Sequence, residues 1–182
     1  MRYFVAVDLE SHLLAPVQAL QNELSRAARL SVVKPANLHF TLMFLGLIDR
    51  DTIAVVIDRL RSLTMSERSF QIHIRGVGAF PSLRSPRVVW VGAPELLNLH
   101  QKIAALFADM FASEKAVPHL TLARVKHVTN KQSLEDFLTR RALTSVGTMT
   151  VETIKLKGSL LNSHGPIYQD ISSFQLMGSD DG

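Results

Sequence analysis

Apolar positions in this chain follow two periods that alternate along its length. Residues 2–8 alternate in polarity and predict a strand, while residues 11–30 place Leu13, Leu14, Val17, Leu20 and Leu24 at helical spacing and predict an amphipathic helix. Residues 37–45 form an apolar run interrupted by Thr and His, a second strand that Gly46 ends. Acidic residues open the segment 51–63, where Ile53, Val56, Ile57 and Leu60 predict a second helix. In 69–75, Phe70, Ile72 and Ile74 alternate with Gln71, His73 and Arg75, which predicts a third strand.

The pattern then starts again. A strand at 87–92 precedes a helix at 95–111 carrying Leu96, Leu99, Ile103, Leu106 and Met110; a strand at 119–125, a helix at 130–140 and a strand at 148–160 follow. Corresponding elements lie about 80 to 85 residues apart, which predicts two β-α-β-α-β halves, 1–78 and 86–160. A loop containing Gly76, Gly78, Pro81 and Pro86 is expected to link them. One more strand is expected at 166–177, attached by a turn at 162–165, and residues 178–182 read as a frayed end. Helices mix with hairpins without a strictly parallel series. The expected fold is therefore α+β and bilobal: two antiparallel sheets flanked by helices around a central cleft, packed as one domain over 1–177.

The candidate chemistry sits on the two central strands. They read Asn37-Leu38-His39-Phe40-Thr41-Leu42 and Val117-Pro118-His119-Leu120-Thr121-Leu122. Residues i and i+2 of a strand share a face, so His39 stands beside Thr41 and His119 beside Thr121, while Phe40 and Leu120 point into a core. With 7 histidines in the chain, chance supplies about 0.4 His-x-Thr tripeptides, so one match carries little weight. Two, each followed by Leu and at equivalent points of a repeated pattern, outweigh the alternative of satisfied structural histidines. Histidine titrates near neutrality, so one imidazole can take a proton from an attacking water while a protonated partner supplies one to a departing oxygen. Threonine hydroxyls can hold the non-bridging oxygens of a phosphate between them. The residues alone leave open which imidazole is acid and which is base.

Composition adds limits. The chain has no cysteine, which excludes disulfides, thiolate metal sites and a cysteine nucleophile, and fits a cytoplasmic protein. No apolar run has the length of a membrane span, and the charged, strand-like opening is no signal peptide. A net charge of +4 favours polyanions, though the cations are dispersed and form no tract. No cluster of Asp, Glu and His adjoins either motif, so neither a metal nor another cofactor is expected.

These motifs, with Arg2-Tyr3-Phe4-Val5-Ala6-Val7, Met43-Phe44-Leu45-Gly46, Gly78-Ala79-Phe80-Pro81, Pro86-Arg87-Val88-Val89-Trp90-Val91-Gly92, Ala123-Arg124-Val125 and Gly165-Pro166-Ile167-Tyr168, make a nearly end-to-end resemblance. The chain resembles the two-histidine (2H) phosphoesterases, specifically the LigT-like RNA 2′,3′-cyclic phosphodiesterases, also known as 2′-5′ RNA ligases. The resemblance implies hydrolysis of RNA 2′,3′-cyclic phosphate ends to 2′-phosphates and, in some members, reversible 2′-5′ joining. It implies His39 as proton donor, His119 as proton acceptor, and a monomeric protein whose partners are RNA ends, tRNA fragments among them. Two departures concern RNA grip: the short stretch 112–117 before the second motif, and Leu156-Lys157-Gly158-Ser159 where the family often reads Leu-Tyr-x-Ser.

Weaker candidates surround the pair. Arg124 occupies a family position linked to phosphate, yet strict alternation turns it away from His119 and Thr121 unless the strand bulges. Tyr168 can stack on a base or merely pack. Phe44 shares the parity of Phe40 and Leu42 and is expected in the core. Arg84, Arg87 and Lys34 read first as solvated loop charge, and His73 and Arg75 as a polar strand face. His12, His100 and His127 are expected to carry no role, and His164 sits in a turn near Tyr168. Competing functions are phosphodiesterases of 2′-5′ oligoadenylates or small cyclic nucleotides, a non-catalytic RNA-end binding protein, and a metal-dependent hydrolase, which lacks ligands.

Overall fold

A computed structural model describes residues 1–112, 117–162 and 165–178; residues 113–116 of the short stretch before the second motif, Ser163 and His164 of the expected turn and the tail beyond Gly178 lie outside the described residues. The chain opens with β1 (Arg2–Asp8), then α1 (Leu14–Leu24), β2 (Ala28–Val32) and β3 (His39–Gly46). Next come α2 (Arg50–Thr64), β4 (Phe70–Phe80), β5 (Val88–Gly92) and α3 (Leu97–Leu106). The series ends with β6 (His119–Val128), α4 (Lys131–Arg141), β7 (Ser145–Val151), β8 (Thr153–Asn162) and β9 (Gly165–Gln175). Local chemistry sets several boundaries. Asp49 caps α2 by accepting from the Thr52 amide at 2.8 Å, and Asn130 caps α4 by accepting from the Ser133 amide at 2.9 Å.

Mixed helices and antiparallel strands give the expected α+β class. Eight strands pair in the order β7-β4-β5-β6-β3-β1-β8-β9, with β2 on β6. The two sheets are thus continuous, and they meet at a single residue pair, Phe40 with Leu120 on β3 and β6. About that junction the path is symmetric: β6, β5, β4 and β7 on one side answer to β3, β1, β8 and β9 on the other.

The lobes do not follow the halves of the sequence. β4, read with the first half, pairs β5 and β7 in the second lobe, and its strand runs through Phe80 into the expected linker. The single strand expected at 148–160 divides at Glu152: β7 pairs β4, while β8 crosses to pair β1 in the first lobe. The helix expected over 11–30 stops at Leu24, because residues 28–32 are taken up by pairing with β6. Tertiary pairing overrides a helical period that Leu24 had already completed. Likewise α3 ends at Leu106, where buried Phe107 leaves the helix.

Buried side chains from both lobes form one contiguous core, including Val17 and Leu20 of α1, Val56 and Leu60 of α2, Ile103 of α3 and Phe137 of α4. Phe40 and Leu120 enter it at 0% exposure, so the residues flanking them, His39, Thr41, His119 and Thr121, face the opposite side of the sheet. Among the described residues no helix is long and apolar enough to cross a membrane. Replacing the junction ring by Phe40→Ala is expected to lower the unfolding free energy by about 3–5 kcal/mol. A urea titration tests this, and a loss under about 1 kcal/mol contradicts the central place given to the pair.

Candidate active site

The antiparallel register of Phe40 and Leu120 sets His39 toward Thr121 and Thr41 toward His119, so the two motifs form one cluster on the open face. Each imidazole is fixed in the same way. His39 donates from Nδ1 to the Asn37 carbonyl at 2.7 Å, and His119 donates from Nδ1 to the Val117 carbonyl at 2.6 Å. A carbonyl only accepts, so Nδ1 holds the hydrogen of the neutral ring and Nε2 is left for proton transfer. His39 Nε2 lies 3.1 Å from Thr41 Oγ1.

Aromatic walls complete the match. His39 packs against Phe4 and Tyr168 with ring centroids 5.0 and 5.1 Å away, and His119 against Phe80 and Trp90 at 5.0 and 5.9 Å. Burial behind these walls is the main force lowering both histidine pKa values below the ordinary 6.5; the carbonyl bonds to Asn37 and Val117 oppose it. The surroundings of His39 differ in one respect. Lys157, buried, bonds both Asp8 carboxylate oxygens at 2.8 and 3.0 Å and Asp170 at 2.7 Å, and Lys155 bonds the same two aspartates. Asp8 stands opposite His39 in the β1–β3 register, and Lys157 opposite Phe4 in β1–β8. Lys157 therefore presses on the His39 proton and Asp8 favours it. Sequence reading noted Lys157 only as a departure from a family pattern. Its partners lie far away in the chain, so no local signal pointed to the network.

Two β-bulges re-aim the residues beyond the motifs. On β6 the register against β5 skips Leu122, so Leu122 and Ala123 are both buried and Arg124 returns to the face of His119 and Thr121. Arg124 is exposed and lies within electrostatic reach of Tyr168, whose hydroxyl pKa burial raises and the guanidinium lowers. On β3 the register against β1 skips Leu42; Leu42 and Met43 are buried, and Phe44 turns out onto the open face. The expectation that Phe44 lies in the core is overturned: it is 64% exposed and contacts Phe4 at 6.2 Å. Phe44 and Arg124 each follow their histidine by five positions, so they are equivalents, one carrying a ring and the other a charge.

The remaining candidates fall elsewhere. His73 bonds Ser145 at 2.6 Å and Arg75 bonds Glu95 at 2.6 Å, engagements apart from the histidine pair. His12 bonds the Thr148 carbonyl at 3.0 Å, His100 is partly buried and its pKa is lowered by that burial, and His127, Lys34, Arg84 and Arg87 are exposed. Among the described residues no group of three or more His, Cys, Asp or Glu is placed to hold a metal ion.

Two outcomes test this geometry. Both imidazoles favour their neutral forms in the fold, so as pH falls below about 6.5 the unfolded chain binds more protons and stability is lost toward the folded-state values. Between pH 7.5 and 5.5 the urea midpoint should fall further for wild type than for His39→Gln/His119→Gln, and equal falls contradict the burial described. A Cβ added at Gly78 collides with the Trp90 ring, which Phe80 and His119 confine. Gly78→Ala should therefore change the emission of the chain's 1 tryptophan and move the NMR resonances of His119 more than those of His39. An unchanged spectrum contradicts the tight stack.

Comparison with known proteins gives a consistent set. The profile of the family "LigT like Phosphoesterase" matches residues 7–90 and 91–168. RNA 2′,3′-cyclic phosphodiesterase of Archaeoglobus fulgidus is 36% identical, the alignment covering 96% of this chain and 100% of the relative. The protein of the same name from Methanothermobacter thermautotrophicus is 38% identical, with 97% and 99% covered. Among solved structures, a Thermus thermophilus protein superposes with a TM-score of 0.84 at 27% identity over 98% of this chain and 99% of that one. Escherichia coli LigT complexed with 3′-AMP shares the fold, with a TM-score of 0.72 at 22% identity over 97% and 98%. Duplicated histidine motifs on paired central strands, a family match across both lobes and relatives aligned over nearly their whole length agree: the chain belongs to the LigT-like phosphoesterase family.

Proposed function

We propose that the protein is an RNA 2′,3′-cyclic phosphodiesterase that opens the cyclic phosphate to a 2′-phosphate without a metal. The observation that carries this reading is the pair of imidazoles with Nδ1 tied to a carbonyl and Nε2 turned to one shared face, that of His39 beside the Thr41 hydroxyl. In the reaction His119 Nε2 takes a proton from water, whose oxygen forms a new bond to phosphorus. The P–O3′ bond breaks, and His39 Nε2–H delivers its proton to the departing 3′-oxygen. The phosphate stays on the 2′-oxygen, and exchange with solvent resets both rings. Thr41, whose Oγ1 lies 3.1 Å from His39 Nε2, turns its hydroxyl hydrogen to a non-bridging oxygen once the His39 proton is aimed at the leaving oxygen; Thr121 serves the opposite side. Arg124 meets the phosphate charge with its guanidinium fork. Phe44 and Tyr168 offer flat apolar faces to the terminal nucleobase.

An anion between the rings favours imidazolium, so substrate binding draws in the proton that the buried pair otherwise disfavours. The relatives' names support RNA with a cyclic phosphate end as the substrate, the net charge of +4 accords with a polyanionic partner, and the absence of cysteine accords with a cytoplasmic protein. An RNA hydroxyl in place of the water gives 2′-5′ joining by the same proton path.

The test is turnover of a short RNA ending in a 2′,3′-cyclic phosphate, in EDTA. A 2′-phosphate product is expected, with a bell-shaped kcat/KM profile whose maximum lies below about pH 6.5, since both free-protein pKa values are lowered. His39→Ala and His119→Ala should each cost at least about 10²-fold. Full activity in either variant rejects the two-histidine mechanism; activity that EDTA abolishes and metal restores rejects the metal-free one.

A further inference from the structure

The duplicated architecture gives the groove two equivalent exits, one past Phe44 at the end of β3 and one past Arg124 at the end of β6. Their surfaces differ sharply. The β3 exit is apolar: Leu47 and Leu161 are each 74% exposed, and with Met1 and Leu160 they line a surface cavity where Arg2 supplies the cation. At the β6 exit the bulged strand continues with Lys126 and His127, both exposed, while Val125 and Val128 pack against the core. β2 widens this end, and among the described residues no strand pairs with β3 in the corresponding place; β2 sets Arg29 opposite His127 and Ser31 opposite Arg124. The ribbon ends at a cavity of about 380 Å³ between the β4–β5 loop and α4, where Arg84, Thr129 and Lys131 surround apolar Leu83, Val128 and Leu134, with Glu135 also present.

Acidic residues are sparse on this side, Glu135 at the cavity wall, 3.8 Å from Lys131, being one. None of the chain's 16 Asp and Glu falls within positions 24–48, 68–94 or 115–134, which supply β2, β3, β4, β5 and β6. Cations on a strand surface that continues directly from a phosphate site, with no acidic residue in the strands themselves, suit a polyanion more than solvent alone. The equivalent exit serves as an internal comparison: it follows a bulged central strand in the same way, without the added β2 and with Arg2 among mostly apolar residues.

Resting on the reading of the protein as a cyclic phosphodiesterase, we propose that the RNA chain behind the reacting end leaves the groove over the β2–β6 ribbon. Arg29 and Lys126 hold its phosphates, and the cavity beside Arg84 and Lys131 receives the next part of the strand. Arg124 thus marks the start of a track several nucleotides long, and a mononucleotide uses only its first position.

The experiment compares wild type with Arg29→Glu/Lys126→Glu on a 2′,3′-cyclic mononucleotide and on a ten-nucleotide RNA with the same end. The ratio of kcat/KM for the oligonucleotide to that for the mononucleotide should fall at least about 10-fold, and the salt dependence of RNA binding should flatten by about 1.4 in log–log slope for two lost contacts. Arg2→Glu, at the apolar exit, should leave that ratio unchanged. An unaltered ratio in the double variant, or a larger fall in Arg2→Glu, overturns the path. Fluorescence anisotropy of a labelled ten-nucleotide RNA gives an answer independent of turnover. If neither cyclic substrate reacts but the double variant still binds RNA more weakly and with the flatter slope, the enzymatic reading fails and the track stands. If turnover is normal and binding is unchanged, the track fails alone.

Discussion

One backbone contact organises the molecule: the pairing of Phe40 with Leu120, where β3 of one lobe meets β6 of the other. Both side chains are wholly buried, so the pair acts as an apolar pin through the sheet. Because strand neighbours alternate, whatever drives these two residues inward drives His39, Thr41, His119 and Thr121 outward together. Proximity of the two imidazoles therefore comes from core packing, the most strongly driven event in folding, and needs no polar interaction of its own. Each lobe then adds its own aromatic pair and its own carbonyl for Nδ1.

Symmetry of construction coexists with asymmetry of charge. Burial acts alike on both histidines, but only His39 has a buried ammonium and its two carboxylates behind it. Two lysines and two aspartates balance to zero, so the network adds structure without a strong net field, and it ties together β1, β8 and β9, the strands that carry Phe4 and Tyr168. Only Lys157 is buried, and the two aspartates are 36% and 43% exposed, so the network is costly to break chiefly because losing them leaves the Lys157 ammonium unpaired. Its value lies in holding the walls around one imidazole in a single arrangement.

Much of this was legible in the sequence. The repeat spacing, the strand assignment of both motifs and the inward direction of Phe40 and Leu120 follow from periodicity. What escaped followed from two causes. Alternation assumes a regular pleat, and it sent Phe44 inward and Arg124 away from the site; the bulges at Leu42 and Leu122 reverse both. A signal was present, since Leu42-Met43 and Leu122-Ala123 are adjacent apolar residues at the same offset in both repeats. The second cause is long-range pairing. Nothing local in residues 28–32 announces a partner at 123–128, and nothing in 148–160 announces that the strand changes lobes at Glu152.

The division of the chain between lobes also bears on how the protein assembles. β4 to β7 form the body of one lobe from a continuous stretch, with β2 added from earlier in the chain, whereas the other combines β1 and β3 with β8 and β9, and its register sets Arg2 opposite Ser159. That pairing has a very high sequence separation, and such contacts form late because loop-closure entropy must be overcome first. On a ribosome the inner lobe can complete its sheet before the outer one has its last two strands. His119 thus acquires its surroundings well before His39, whose Lys157 and Tyr168 follow later in the chain, so the groove is complete only once β8 and β9 have emerged.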